Sequence, residues 1–408
     1  MTTLTSIERT SAAPPPARLL SGGRSLWNVA AIAAQTPFYV YDFGVIDARI
    51  RSLRAVLPPR VDLHYAIKAN PLPGLVQRIA PLVDGLDVAS LRELQLALGT
   101  GVRPPDISFA GPGKKESELA AALAAGVVIN VESASELARL ERLQIETQQV
   151  ARIALRVNPD FHVRGSGMGM GGGSQQFGTD AECVPELAAL VRHSRLLGLH
   201  IFAGSQNLKL EALTQAVSRT FGLAGSLCKT LGLEPEYLNI GGGLGIPYFA
   251  SDHGLDLAGY AAHLTREASE WQARYPTCRI ILELGRYLVG EAGLFVSRVI
   301  DKKVSRGKTY LILDGGLHHH LAASGNFGQV TPRNYPISVV RRDEASAPLE
   351  TVTVVGPLCT PLDTLGRDVE LPRCDVGDLV VVHQSGAYGA SASPVHFLSH
   401  PGPIELVV

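Results

Sequence analysis

From residue 61 onward the sequence repeats one theme: a short run of β-branched and other apolar residues, then a longer stretch with helical spacing. The runs VDLHYAIK (61–68), GLDVA (85–89), DISFA (106–110), VVINV (127–131), ARIALRV (151–157), LLGLHIF (196–202), EYLNI (236–240) and RIILEL (279–284) are predicted strands. Between them, SASELARLERLQ (133–144) places Leu137, Leu140 and Leu143 at helical intervals. This alternation implies parallel strands, and eight repeats fit a closed barrel better than an open sheet. After Gly290 the texture changes. LFVSRVIDKKV, KTYLILD, TVTVVG and DLVVVHQ, separated by Gly, Pro and Asp, predict an all-β unit, and TPFYVYD (36–42) is expected to join it. The predicted fold class is α/β: a (β/α)8 TIM barrel over 45–288 and a C-terminal all-β domain over 289–408. Residues 24–44 are expected to join the β-domain and 1–23 to form a mobile tail.

Composition narrows the functional classes. The 408 residues carry a formal net charge of -1 and only 18% charged side chains, so no basic surface is available by composition for nucleic acid. The longest apolar stretches, such as Leu119 to Ile129, fall short of the roughly 20 residues needed to span a bilayer. The Pro14-Pro15-Pro16 run and the polar residues around it do not resemble a secretory signal. Cys183, Cys228, Cys278, Cys359 and Cys374 lack metal-type spacing and their odd number does not suggest a disulfide framework, so a reducing cytoplasm is expected. His318-His319-His320 are consecutive, point in different directions on a strand and lack a carboxylate at ligand spacing; a loop near the substrate entrance is expected, with no metal site.

A barrel of this kind carries its chemistry on the loops that follow its strands. There the sequence places Lys68 at the end of the first strand, Asp87 near the end of the second, and Asn158 after the fifth. Ser205 follows the sixth, Gly241-Gly242-Gly243 the seventh, and Glu283 closes the eighth. An ammonium group at the end of an apolar strand is costly without a partner or a purpose. A glycine triplet at a strand-to-loop junction offers backbone N–H groups suited to a phosphate.

YAIKAN, GLDVAS, GSQ, NIGGGLGIPY, ELGR, GPLCTPLD and SGAYGAS occur in the order seen in fold-type III pyridoxal-phosphate decarboxylases, and the resemblance runs from about residue 36 to the C-terminus. That family includes diaminopimelate, ornithine and arginine decarboxylases. The resemblance implies an alanine-racemase-type barrel with a β-domain, pyridoxal 5'-phosphate as cofactor, and a homodimer with shared active sites. It makes Lys68 the Schiff-base lysine, and Ser205 with Gly241, Gly242 and Gly243 the phosphate site. Asp87 and Phe202 are counted with the cofactor-binding residues, and Tyr388 is expected to reach the cofactor from the neighbouring subunit. Glu283 is expected at the pyridine nitrogen, where a carboxylate favours decarboxylation; racemases of this fold use arginine there. Arg286 would bind phosphate or substrate. Cys359 would lie over the cofactor from the second subunit and return a proton after CO2 leaves, with Asp363 beside it at the substrate.

Three departures from the family pattern bear on substrate. Phe202 stands where most relatives have a histidine that stacks on the cofactor, while His200, two residues earlier, reads as a satisfied strand histidine. DGGLHHHLAASGNFGQV replaces the arginine-bearing R-P-A-x-Y segment of diaminopimelate decarboxylases, and Thr360 replaces their glutamate. RGSGMGMGGGSQQFG (164–178) is rich in glycine and suggests a roomy entrance. The same features look like a subgroup associated with exosortase systems and like decarboxylases of glutamate tethered to an acyl carrier protein. Three readings stand at this point: decarboxylase of a carrier-bound or free amino acid, amino-acid racemase or epimerase, and non-catalytic carrier of the cofactor.

Overall fold

The computed structural model describes residues 20, 23–162, 168–169, 171–249, 251–327, 333–341 and 347–408. The expected mobile tail therefore lies outside the described residues, apart from Leu20 and Gly23. So do residues 163–167 and 170 of the glycine-rich segment and its border.

Strand β1 (Phe38–Tyr41) precedes eight barrel strands: β2 (Val61–Ala66), β3 (Gly85–Val88), β4 (Ile107–Phe109), β5 (Val128–Val131), β6 (Arg152–Asn158), β7 (Arg195–Ile201), β8 (Tyr237–Asn239) and β9 (Arg279–Leu284). Each pairs in parallel with its sequence neighbour, and β9 returns to β2 through Glu283↔His64, which closes the ring. Parallel strands inside helices are buried on both faces, which is why these segments read as nearly continuous apolar runs. The helix Ala134–Thr147 buries Leu137, Leu140 and Leu143, the positions whose spacing predicted it, and the Ser133 hydroxyl caps it by accepting from the Glu136 amide.

Seven further strands follow: β10 (Gly293–Ser305), β11 (Lys308–Leu313), β12 (Ile337–Val340), β13 (Leu349–Val355), β14 (Thr364–Pro372), β15 (Leu379–Val382) and β16 (Ile404–Val407). Their order is β12-β15-β10-β11-β13-β14, and β10 reaches both β15 and β11 by bending at a bulge between Val299 and Asp301. The early strand β1 joins them, antiparallel to β10 and parallel to β16, so both ends of the described chain meet in this sheet. The segment before β1 is not all extended: Leu26–Ala33 is a helix capped by Ser25. No helix among the described residues is long and apolar enough to cross a membrane.

Candidate active site

In a barrel strand, alternate residues point inward. Outward positions such as Leu63, Leu86, Ile107, Ile153, Leu199 and Leu282 belong to the main apolar core beneath the helices. Inward, Val128, Ala154, Leu197, Tyr237 and Ile281 form a separate small cluster. The next inward positions toward the C-terminal ends are polar and buried: His64, Asp87, Ser108, Asn130, Arg156, His200, Asn239 and Glu283. A buried polar layer above an apolar plug costs free energy unless its members pair or meet a polar ligand. Some pair. Ser108 donates to Asp87, His64 Nδ1 lies 3.5 Å from Asp87, and Arg156 donates to Glu132 at 2.8 Å.

Strand β2 ends at Ala66, so Lys68 is not its last residue but sits in a single 3-10 turn, Ile67–Ala69. That turn is fastened from far along the chain: the Asn70 side chain donates to the Gly386 carbonyl at 3.0 Å, and the Tyr388 amide to the Ala69 carbonyl at 2.8 Å. Lys68 Nζ then lies 3.3 Å from Glu283 Oε1 and 5.3 Å from the centre of the Phe202 ring. Burial opposes the charge on Lys68, but the Glu283 carboxylate and Tyr388 outweigh it and raise the ammonium above its usual range. Burial likewise pushes the Glu283 carboxyl up, yet Lys68, His200 and Arg156 together hold it below the usual carboxylate range. His200 Nε2 is 3.5 Å from the second Glu283 oxygen. Neither His200 nitrogen completes a hydrogen bond among the described residues, so it is not the satisfied strand histidine the sequence implied.

A second group of residues assembles beside Lys68. Gly241 and Gly243 have φ of +67° and +112°, and a Cβ on Gly242 would lie 2.0 Å from the Glu283 carbonyl oxygen, so the turn requires glycine. The Glu283 amide donates to the Gly241 carbonyl at 2.8 Å, which couples the glycine turn to the acid-bearing strand. Asn207 and Gln206 tie the Ser205 loop to the same turn: the Asn207 amide donates to Gly243 at 2.9 Å, and the Gln206 side chain bonds both the amide and the carbonyl of Ile246. Arg286 Nη1 donates to the Tyr248 hydroxyl at 2.6 Å, and its guanidinium lies 4.7 Å from the Tyr388 ring. Its buried Nε has no partner among the described residues. Tyr388 holds a left-handed backbone, φ +54°, a strain that non-glycine residues sustain where the surroundings enforce it.

The structure thus gathers Lys68, Phe202, Glu283, Arg286 and Tyr388, with Ser205 and Gly241–Gly243 on the same rim, and Asp87 in the polar layer of the barrel. Tyr388 stands beside Lys68 of its own chain rather than being brought by a neighbour, because the SGAYG segment is hydrogen-bonded to the Lys68 turn. Asp363, expected at the substrate, lies behind the Cys359 loop of its own chain. Its carboxylate is buried, and its two oxygens accept from Leu317 and Leu358 amides at 2.6 and 2.9 Å, so it organises two loops. Cys359 is exposed on the loop between β13 and β14, and no contact at Lys68 among the described residues involves it. The histidine run lies inside the β-domain, not on an entrance loop: His318, His319 and His320 are almost wholly buried, with His319 bonded to the Pro401 carbonyl and His320 to Ser385. His200 and Arg156 are site residues the motifs did not supply, and the barrel register turns both inward; Tyr248 closes the NIGGGLGIPY motif, which had given it no role.

An amine, a paired carboxylate, a glycine turn and a half-satisfied guanidinium at one barrel mouth fit a phosphate-bearing aldehyde cofactor: buried Arg286 Nε is a polar group awaiting a partner. Residues 43–290 match the family described as pyridoxal-dependent decarboxylase, pyridoxal binding domain. The chain belongs to that family. Among curated relatives of this decarboxylase, the L-glutamyl-[BtrI acyl-carrier protein] decarboxylase of Niallia circulans is 40% identical over 91% of this chain and 89% of its own. The diaminopimelate decarboxylase of Aquifex aeolicus is 32% identical over 91% and 86%. Among solved structures, the diaminopimelate decarboxylase of Helicobacter pylori complexed with L-lysine superimposes with a TM-score of 0.83 at 29% identity, covering 94% of each chain. The protein is a pyridoxal-phosphate-dependent carboxy-lyase with the barrel and β-domain of these enzymes, which removes the racemase and non-catalytic readings.

Proposed function

We propose that this decarboxylase acts on an amino acid, of glutamyl type, held by an acyl carrier protein. The observation that carries the reading is the 40% identity, over nearly the whole of both chains, to a decarboxylase of that substrate, against 32% to a diaminopimelate decarboxylase. The residues agree with it. Thr360 is neutral where the family pattern has a glutamate, and the segment 317–324 carries no arginine to grip a second carboxylate. At Thr360 a free diamino acid would find no carboxylate to hold its distal ammonium.

Bound at Lys68, pyridoxal phosphate supplies an electron sink for the bond between the α-carbon and the carboxylate. Glu283, kept ionised by Lys68, His200 and Arg156, holds a fixed negative charge for the ring nitrogen. Gly241–Gly243, Ser205 and Arg286 hold the phosphate, Phe202 offers a ring face to the cofactor, and Asp87 supports the polar layer beneath. Cys359 is exposed on its own chain, so its proton reaches the α-carbon only if a second copy presents the loop to this barrel; the enzyme we propose is a homodimer with shared sites. Its barrel spans 45–288 and its β-domain 289–408. Five unpaired thiols suit a reducing cytoplasm.

Purified enzyme should release CO2 from glutamyl carrier protein and leave free lysine, ornithine and diaminopimelate nearly untouched. Rapid turnover of a free diamino acid with none of the carrier-bound one refutes the assignment. Cys359→Ala should lower turnover or place the returning proton without stereochemical control, read by deuterium incorporation.

A further inference from the structure

A cleft of about 510 Å3 opens in the β-domain, apart from the constellation at Lys68. Leu358 and Thr360 form part of its wall, so it shares a wall with the loop that carries Cys359. Among the described residues three cations line it, Lys303, Lys308 and Arg367, against two carboxylates. One of these, Asp363, is buried with both oxygens bonded to backbone amides, and the other, Asp368, lies 3.6 Å from Lys308. Lys303 and Arg367 enter no ion pair among the described residues, which leaves positive charge in the cleft of a chain whose net charge is -1. Tyr310 and Thr360 add hydroxyl groups.

The space is larger than one amino acid requires, and its chemistry is specific. We propose that the cleft receives the phosphate-bearing arm through which a carrier protein presents its substrate, with Lys303 and Arg367 meeting the phosphodiester and the hydroxyls meeting the arm's amides. The inference rests on the carrier-bound reading of the reaction. Thr360 supports it from a second direction: the glutamate that the family pattern places there would set a negative charge on the cleft wall and oppose an anionic arm. Continuity with the Cys359 loop puts the arm beside the thiol that acts on the carried group.

The test compares one acyl group on three supports: holo carrier protein, 4'-phosphopantetheine, and pantetheine without phosphate. Wild-type enzyme should show a KM about tenfold lower with phosphopantetheine than with pantetheine, and that ratio should shrink as salt is raised. The Lys303→Ala, Arg367→Ala double variant should lose the ratio while kcat changes by less than about twofold. The charge-conserving pair Lys303→Arg, Arg367→Lys should keep it, which separates loss of charge from loss of fold. If the double variant retains the wild-type ratio, the cleft does not hold the arm although the carrier-bound reaction stands. If wild-type enzyme turns over none of the three thioesters, the carrier reading and the cleft assignment fall together.

Discussion

At the scale of single residues, the site is governed by one buried carboxylate with two partners. Glu283 faces Lys68 with one oxygen and His200 with the other, at 3.3 and 3.5 Å, and the Lys68 ammonium and the Glu283 carboxylate support each other's charge. Glu283→Gln should therefore lower the Lys68 pKa and cut decarboxylation by about 100- to 1000-fold, as loss of a preorganised charge does elsewhere. The measurements are kcat and a pH titration of the bound cofactor's absorbance, whose transition should move to lower pH. In the cofactor-free protein Lys68, raised when folded, stabilises below its ordinary value and loses that contribution as pH rises through the raised one. Glu283, lowered when folded, stabilises above the ordinary carboxylate value and loses that contribution as pH falls through the lowered one. Glu283→Gln should flatten both limbs of a urea-midpoint profile. Lys68 and Glu283 were legible in the sequence because motifs surround them. His200 and Arg156 were not, because a polar residue inside a strand faces either the helices or the barrel axis, and only the register decides.

Among elements, the loops of the β-domain are held by buried acceptors rather than by their own propensity. Asp363 bridges the turn after β11 to the Cys359 loop, packed against Gly316 and Gly356, where a Cβ would lie 2.3 Å from its oxygens. Asp363→Ala leaves two buried amides without an acceptor and should cost about 2 to 5 kcal/mol in urea unfolding. Asp363→Asn, which keeps one acceptor but turns an N–H toward a donor, should fall between the two; equal stability of all three proteins would show that the bridge is not needed. The eight barrel strands were legible because burial on both faces makes each a continuous apolar run. Strands β12, β14 and β16 escaped notice because their faces are mixed, as the exposed Arg367-Asp368 pair within β14 shows. The turn that carries Lys68 was unreadable for another reason: Asn70 and Ala69 are fixed by Gly386 and Tyr388, more than 300 residues away.

Across the whole molecule, the histidine run closes the chain on itself. The Tyr39 hydroxyl of β1 donates to the His319 carbonyl, His319 Nε2 meets the Pro401 carbonyl ahead of β16, and His320 packs among Tyr39, Phe295 and Tyr335 while bonding Ser385. His318 packs at a tilt against His319 and His400, with ring centres 3.7 and 4.9 Å away. Burial lowers His320 to about 3, and burial with the neighbouring His319 and His400 lowers His318 to about 3. Both rings stay neutral in the folded protein and take up protons once unfolded. Their contribution is thus complete above the unfolded value of about 6.5 and is lost as pH falls toward 3, on the order of 1 kcal/mol per pH unit for each ring. Urea midpoints should decline steeply between pH 6 and pH 4, and unfolding should begin in the β-domain because these rings join its first and last strands. His318→Phe, which keeps an aromatic ring without a titrating nitrogen, should remove one proton from that slope. An unchanged slope in the variant would mean that the acid sensitivity arises from the buried carboxylates and not from the histidines that join the chain's two ends.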